Sequence, residues 1–175
     1  MVTLGKALAG GVPVGAFGVS EQMVRSAMPK VRGEAGDESG IGGTLSGNPL
    51  AAAAALRASP EHVITAGAYA QMIPLARRWA AGVRRTIDTY GLPWHVTQLG
   101  ARAKYRFRAN APRNGSEALA AKDGELERYL HSYALNRGVL ITPFHNMALM
   151  SPTTRASDVD LHTQVFESSM RELAG

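Results

Sequence analysis

The sequence predicts an α/β fold, and three observations carry that reading. Two short apolar runs, residues 2–4 and 14–19, flank a stretch rich in glycine, as two neighbouring strands joined by a turn would. From about residue 66 to 90, Met72, Ala76, Trp79, Val83, Ile87 and Tyr90 recur at helical spacing, so a long amphipathic helix divides the chain. After Trp94, short strand-like runs alternate with capped helical ones, which predicts a small α+β layer.

The first strand, residues 2–4, ends just before Lys6, and Gly10, Gly11 and Pro13 turn the chain into the next strand. A lysine at a strand end, beside backbone without side chains, can meet a planar ligand closely. Its amine attacks carbonyls once burial suppresses its charge. From the residue alone, a solvated lysine before a hairpin is the better reading. Ser20 and Glu21 resemble an N-cap and a first-turn acid, so a short helix over 21–27 is expected, ending before Pro29. Residues 31–43 carry Glu34, Asp37 and Glu38 among glycines without apolar periodicity, and read as a solvated loop. Asn48 caps a helix opened by Pro49; the alanines of 51–55 favour helix, and Ser59-Pro60 marks a break or kink. In the long helix Trp79 belongs to the core, with Arg77, Arg78, Arg84 and Arg85 on other sides. Gly91 stops that helix and Pro93 follows.

Beyond it, residues 96–99 and 105–107 read as strands interrupted at Gly100, and 112–115 as a turn. Asp123 caps a helix with Leu126, Leu130 and Ala134 on one face, closed by Gly138. Residues 139–142 read as a further strand. The last helix starts at Ser157, Asp158 and Asp160, with Val159, Val165, Phe166, Met170 and Leu173 as its apolar positions.

Composition narrows the function classes. The 175 residues hold 19 basic and 14 acidic side chains, a net charge of +5. Lysine occurs at positions 6, 30, 104 and 122 and every other basic residue is arginine, the side chain suited to bidentate recognition of carboxylate or phosphate. The arginines are scattered, whereas a nucleic-acid footprint needs a cluster with aromatics interleaved, so no nucleic-acid partner is expected. No apolar run reaches the roughly 18 residues of a membrane span, and the first residues lack the plan of a signal peptide. The absence of cysteine excludes disulfides and thiolate metal sites and is compatible with a cytoplasmic location. None of the five histidines pairs at a metal-ligand spacing, so no metal is expected.

Three segments carry a resemblance. Thr3-Leu4-Gly5-Lys6 with Gly10-Gly11-x-Pro13-x-Gly15-Ala16, then Gly43-Thr44-Leu45-Ser46-Gly47-Asn48-Pro49-Leu50-Ala51, then Arg137-Gly138-Val139-Leu140-Ile141-Thr142-Pro143-Phe144 stand in family order along the chain. Together they resemble the C-terminal part of the class III, pyridoxal-phosphate-dependent aminotransferases, a group that includes glutamate-1-semialdehyde aminomutase. The resemblance implies the C-terminal part of a fold-type I transferase: residues 1–65 as the end of the large coenzyme-binding domain, 66–92 as a connecting helix, and 93–175 as the small α+β domain. It further implies that Lys6 forms a Schiff base with pyridoxal 5'-phosphate and then moves a proton on the substrate. Thr44 would donate to a phosphate oxygen of the neighbouring subunit's coenzyme, with Gly43 allowing close approach, so that a homodimer shares its sites.

The segment 99–107 is similar to a subgroup acting on β-amino or ordinary amino acids, and there Arg102, rather than Arg106, is the choice for holding a substrate carboxylate. A solvated arginine at a strand edge is the equal alternative. His145 either meets substrate or is simply exposed. Amino-group transfer between an amino acid and a keto acid is the activity implied. A glutamate-1-semialdehyde 2,1-aminomutase-type isomerase and a non-catalytic dimerisation module are the alternatives. Family members hold the pyridine nitrogen, the phosphate and the coenzyme face with residues that precede the segment matched here. Met1 is therefore expected to be a late start or a truncation, and the chain alone to be inactive and prone to association through apolar sheet edges.

Overall fold

The computed structural model describes residues 1–10, 12–31, 45–142 and 145–174. It divides into two compact units, Met1–Thr65 and Ala66–Gly175.

In the first unit, β1 (Val2–Leu4) pairs antiparallel with β2 (Ala16–Gly18), with Thr3 opposite Phe17. The connection is longer than a tight turn, because a 3-10 turn (Lys6–Ala9) follows β1 directly. Val2, Leu4 and Phe17 are each more than half exposed. Helix α1 (Glu21–Val31) is capped by Ser20, whose Oγ accepts from the Met23 amide at 3.3 Å. The helix runs past Pro29 instead of ending before it. So near the C-terminal end the proline gives up one backbone bond while earlier turns persist. Residues 32–44, and with them the expected loop, Gly43 and Thr44, lie outside the described residues. Asn48 caps α2 (Pro49–Ala53), its side chain accepting from the Leu50 and Ala51 amides at 3.0 and 3.2 Å. The expected break at Ser59-Pro60 is a π turn (Ala54–Ala58) leading into α3 (Ser59–His62), a widened turn that accommodates the proline without ending the helical path.

The second unit is built on α4 (Ala66–Thr89), whose buried stripe includes Met72, Ala76, Trp79, Val83 and Ile87. It ends as expected at Gly91, which adopts φ +60°; Leu92 then donates to the Ile87 carbonyl at 3.0 Å, closing the last turn. Three antiparallel strands follow in the order β3 (His95–Leu99), β4 (Arg102–Arg106), β5 (Met147–Leu149). Gly100 turns β3 into β4 with φ +56° at the first position of a two-residue loop, a geometry that favours glycine. Strand β4 therefore starts at Arg102, earlier than the expected 105–107. Its cations on one face masked the period-2 pattern that Ala103 and Tyr105 bury on the other.

Helix α5 (Gly115–Ala120) occupies a stretch read only as following a turn; Asn114 caps it, accepting from the Glu117 amide at 2.9 Å. Helix α6 (Gly124–Leu135) is capped by Asp123 and closed by the Val139 amide donating to the Ala134 carbonyl at 2.9 Å, just after Gly138. Residues 139–142 are not a strand. Val139 packs with Tyr133, Ala134 and Val165 beside Ile141, Thr142 makes one bridge to Met147, and β5 takes the place beside β4. Helix α7 (Ala156–Ala174) buries Val159, Val165, Phe166 and Met170; Leu173, in the terminal turn, stays half exposed, contrary to expectation. No described helix is long and apolar enough to cross a membrane.

The core lies where α4, α7 and β4 meet. Trp79, Tyr105 and Phe166 pack there with Val83 and Met170, and His162 lies 4.9 Å from Trp79, ring centre to ring centre. Arg78 grips Asp160 with two nitrogens at 2.6 and 2.8 Å, joining α4 to α7 at the surface. The helices approach most closely at Gly82, where an added Cβ would stand 2.4 Å from Thr163 Oγ1. Gly82→Ala is accordingly expected to lower the stability of this unit by about 1–3 kcal/mol, outweighing the gain of up to about 1 kcal/mol that alanine brings to a helix. A drop in the urea midpoint checks it.

His162 is buried among aromatic rings, and desolvation pushes its pKa down to about 4. An unfolded histidine titrates near 6.5, so the native state resists the proton that the unfolded chain accepts. Stability should be intact above about pH 6.5 and fall by about 3 kcal/mol as pH drops toward 4. Replacing His162 with leucine should remove that part of the slope in urea titrations across this window. An unchanged slope would count against the assignment.

Candidate active site

Strand β1 delivers Lys6 to its end, where the backbone enters the left-handed region at φ +54°. For a residue with a Cβ this conformation costs about 1–2 kcal/mol, and nothing in the lysine side chain compensates as asparagine or glycine would. The 3-10 turn that starts there is closed by the Leu8 amide donating to the Gly5 carbonyl at 3.3 Å. The Val12 amide donates to the Ala9 carbonyl at 3.2 Å, and Ala9 is buried. The result is a lysine that leaves the strand abruptly, with an exposed side chain.

An open groove of about 730 Å³ adjoins this turn, with Leu8, Pro13, Gly15, Ser46, Asn48 and Ala55 among its walls. The second motif segment, as far as it is described, thus faces the stretch that follows the lysine. Small residues (Gly15, Ala16, Ala51, Ala52, Ala55) leave the groove wide. Neither Thr44 nor Gly43 lies within the described residues.

Arg102 belongs to the second unit. It opens β4, opposite Leu99 on one neighbour and Leu149 on the other, so it stands at the end of the central strand and not on a sheet edge. Arg102, Lys104 and Arg106 alternate on the face of β4 turned away from the buried Ala103 and Tyr105. Arg106 is already engaged, donating to the Ala118 carbonyl of α5 at 3.1 Å. Lys104 is held below the ordinary lysine range by partial burial and by Arg106 beside it. Arg102 is exposed. His145 is exposed, whereas Asn146 is buried at φ +46°, its carbonyl accepting from the Tyr105 amide and its side chain donating to Glu127, which makes it a strut for β5. Among the described residues no cluster of acidic residues and histidines has the make-up of a metal site. The left-handed lysine is the feature the sequence concealed, since no neighbouring residue type signals it.

No family model matches the chain. It is 32% identical to a glutamate-1-semialdehyde 2,1-aminomutase of Desulfosudis oleivorans over 89% of this chain and 34% of that protein. With glutamate-1-semialdehyde 2,1-aminomutase 2 of Brevibacillus brevis the identity is 34% over 82% of this chain and 32% of that protein. Among solved structures, a glutamate-1-semialdehyde aminomutase from Pseudomonas aeruginosa PAO1 superposes with a TM-score of 0.89 at 48% identity, covering 98% of this chain and 38% of that one. A β-phenylalanine aminotransferase from Variovorax paradoxus reaches a TM-score of 0.75 at 25% identity, over 95% and 37% of the two chains. The chain thus spans about a third of the length of the relatives it matches. With the lysine segment, the groove motif and the fold all agreeing, the chain matches the C-terminal part of the class III pyridoxal-phosphate-dependent aminotransferase family.

Proposed function

We propose that this chain carries the lysine-bearing portion of an enzyme that moves an amino group with pyridoxal 5'-phosphate, Lys6 being the coenzyme lysine. The observation that carries the reading is the position of Lys6: an exposed lysine at the end of β1 on a left-handed backbone, two residues before Leu8, which lines a groove walled by small residues. That donor set fits a flat coenzyme bearing a carbonyl. When bound, the coenzyme supplies the carbonyl carbon and the electron sink. The chain's own residues do the rest. Lys6 would hold the coenzyme through its amine, and that same amine would carry a proton at the substrate carbon. Thr44 donates to a phosphate oxygen and Gly43 permits close approach, in a site shared between two subunits. Arg102 pairs with a substrate carboxylate, which its free position at the end of β4 supports.

Residues 1–65 act as the end of the coenzyme-binding domain, 66–92 as its connecting helix and 93–175 as the small domain. Because Lys6 is exposed and the faces of β1 and β2 are bare in this unit, turnover needs the rest of the longer family fold to bury the amine. The 175-residue chain by itself is expected to show no steady amino-group transfer.

Two reactions fit this machinery. Transfer from an amino acid to a keto acid is one. Migration of the amino group within a single carbon skeleton is the other, and the 48% identity to the Pseudomonas aeruginosa aminomutase favours it. Dependence on an added keto acid, measured once the chain is joined to a complete family N-terminal part, separates them.

Borohydride reduction after incubation with pyridoxal phosphate, followed by peptide mapping, tests the central assignment. Saturable labelling confined to Lys6 is expected; labelling spread equally over Lys30, Lys104 and Lys122 would overturn it. The strained backbone predicts a separate effect. Lys6→Gly should raise the thermal midpoint by about 2–4 °C while abolishing the label, and Lys6→Ala, which keeps a Cβ in the left-handed region, should give no such gain.

A further inference from the structure

We propose that one water molecule is a resident part of the second unit, held between the Tyr105 hydroxyl and His162 Nδ1 in a small cavity walled by β4, α6 and α7. Both groups are buried, Tyr105 at 1% and His162 at 5% exposure, and neither atom has a hydrogen-bond partner among the described residues. Buried polar atoms are almost always bonded, to protein or to ordered water. The two residues that carry these orphan atoms line one cavity, and that juxtaposition points to a shared partner.

The cavity sets the size of that partner. It offers about 10 Å³ to the centre of a water molecule, which matches the least room one water needs. Its other walls are mostly apolar, with Leu130, Ala134, Val165 and Phe166 among them, and no carboxylate that would select a cation. Ser169 is the third polar wall residue. Its Oγ donates to the Phe166 carbonyl at 2.7 Å, which leaves its lone pairs free to accept. Tyr133 also borders the cavity, but its hydroxyl is engaged with Glu172. A water facing Tyr105, His162 and Ser169 would make about three bonds, the usual number for a buried water. It both donates and accepts, so it satisfies a phenol together with an imidazole nitrogen in either tautomer. Tyr105 and His162 are held around this space by a common neighbour, Phe166, whose ring centre lies 5.1 Å from one and 5.9 Å from the other. The water thus ties the central strand to α7 through the aromatic core.

The test uses the full 175-residue chain. Tyr105→Phe keeps the ring and removes one bond to the water, so the thermal midpoint should fall by about 2–4 °C. If the hydroxyl were unpartnered, its removal would leave the midpoint unchanged or raise it, and that result overturns the proposal. In a His162→Leu background the same substitution should have less than half its effect, because the two side chains act through one molecule. Should His162→Leu fail to fold, a direct measurement decides: a long-lived water nuclear Overhauser effect at the Tyr105 ring protons in the native chain. A lowered midpoint without that signal would assign the hydroxyl a protein partner and reject the water.

Discussion

The second unit depends on the packing of α4 against α7 around Trp79. That ring touches Tyr105 from the central strand and His162 from the last helix, so one side chain joins the three elements that make up the core. Close approach is possible because Gly82 presents no side chain to Thr163, and the Arg78–Asp160 pair fixes the same crossing at the surface. Dispersion and burial do most of this work; the ion pair is exposed and contributes little beyond register. The core also accepts buried polar atoms, at Trp79 Nε1, Tyr105 and His162, an arrangement that makes this region sensitive to protonation and hydration together.

The first unit is organised differently. Its two strands expose apolar side chains, its catalytic candidate leaves β1 in a conformation that lysine adopts at a cost, and its groove is open. Strain and exposure of this kind accord with a site built for chemistry and not for local stability. The chain spans about a third of the length of the relatives it matches.

Much of the fold was legible because it rests on local rules. Asn48 and Asp123 bond the amides that a capping residue is expected to bond, and Gly91 and Gly138 close the helices they follow. The misreadings arise where local preference competes with tertiary demand. Residues 139–142 have the composition of a strand. Yet Val139 joins the cluster of Tyr133, Ala134 and Val165, while Asn146, in a left-handed turn, turns the chain so that residues 147–149 pair with β4. Arg102 opens β4 just after the Gly100 turn, and that β4 is the central strand follows from strand order, which is not written in any one segment.

By itself the sequence determined the long helix, its buried stripe, the caps, and a lysine segment followed by a glycine-rich motif in family order. Those features depend on neighbours within a few residues, where propensity and periodicity act. Only the tertiary structure decided which strand lies beside β4, that Arg106 is occupied by α5 while Arg102 is not, that Lys6 takes a left-handed backbone, and that Tyr105 and His162 border one cavity. Each of these sets side chains distant in sequence, or a backbone angle against its own preference, and only the sum of long-range packing can impose that.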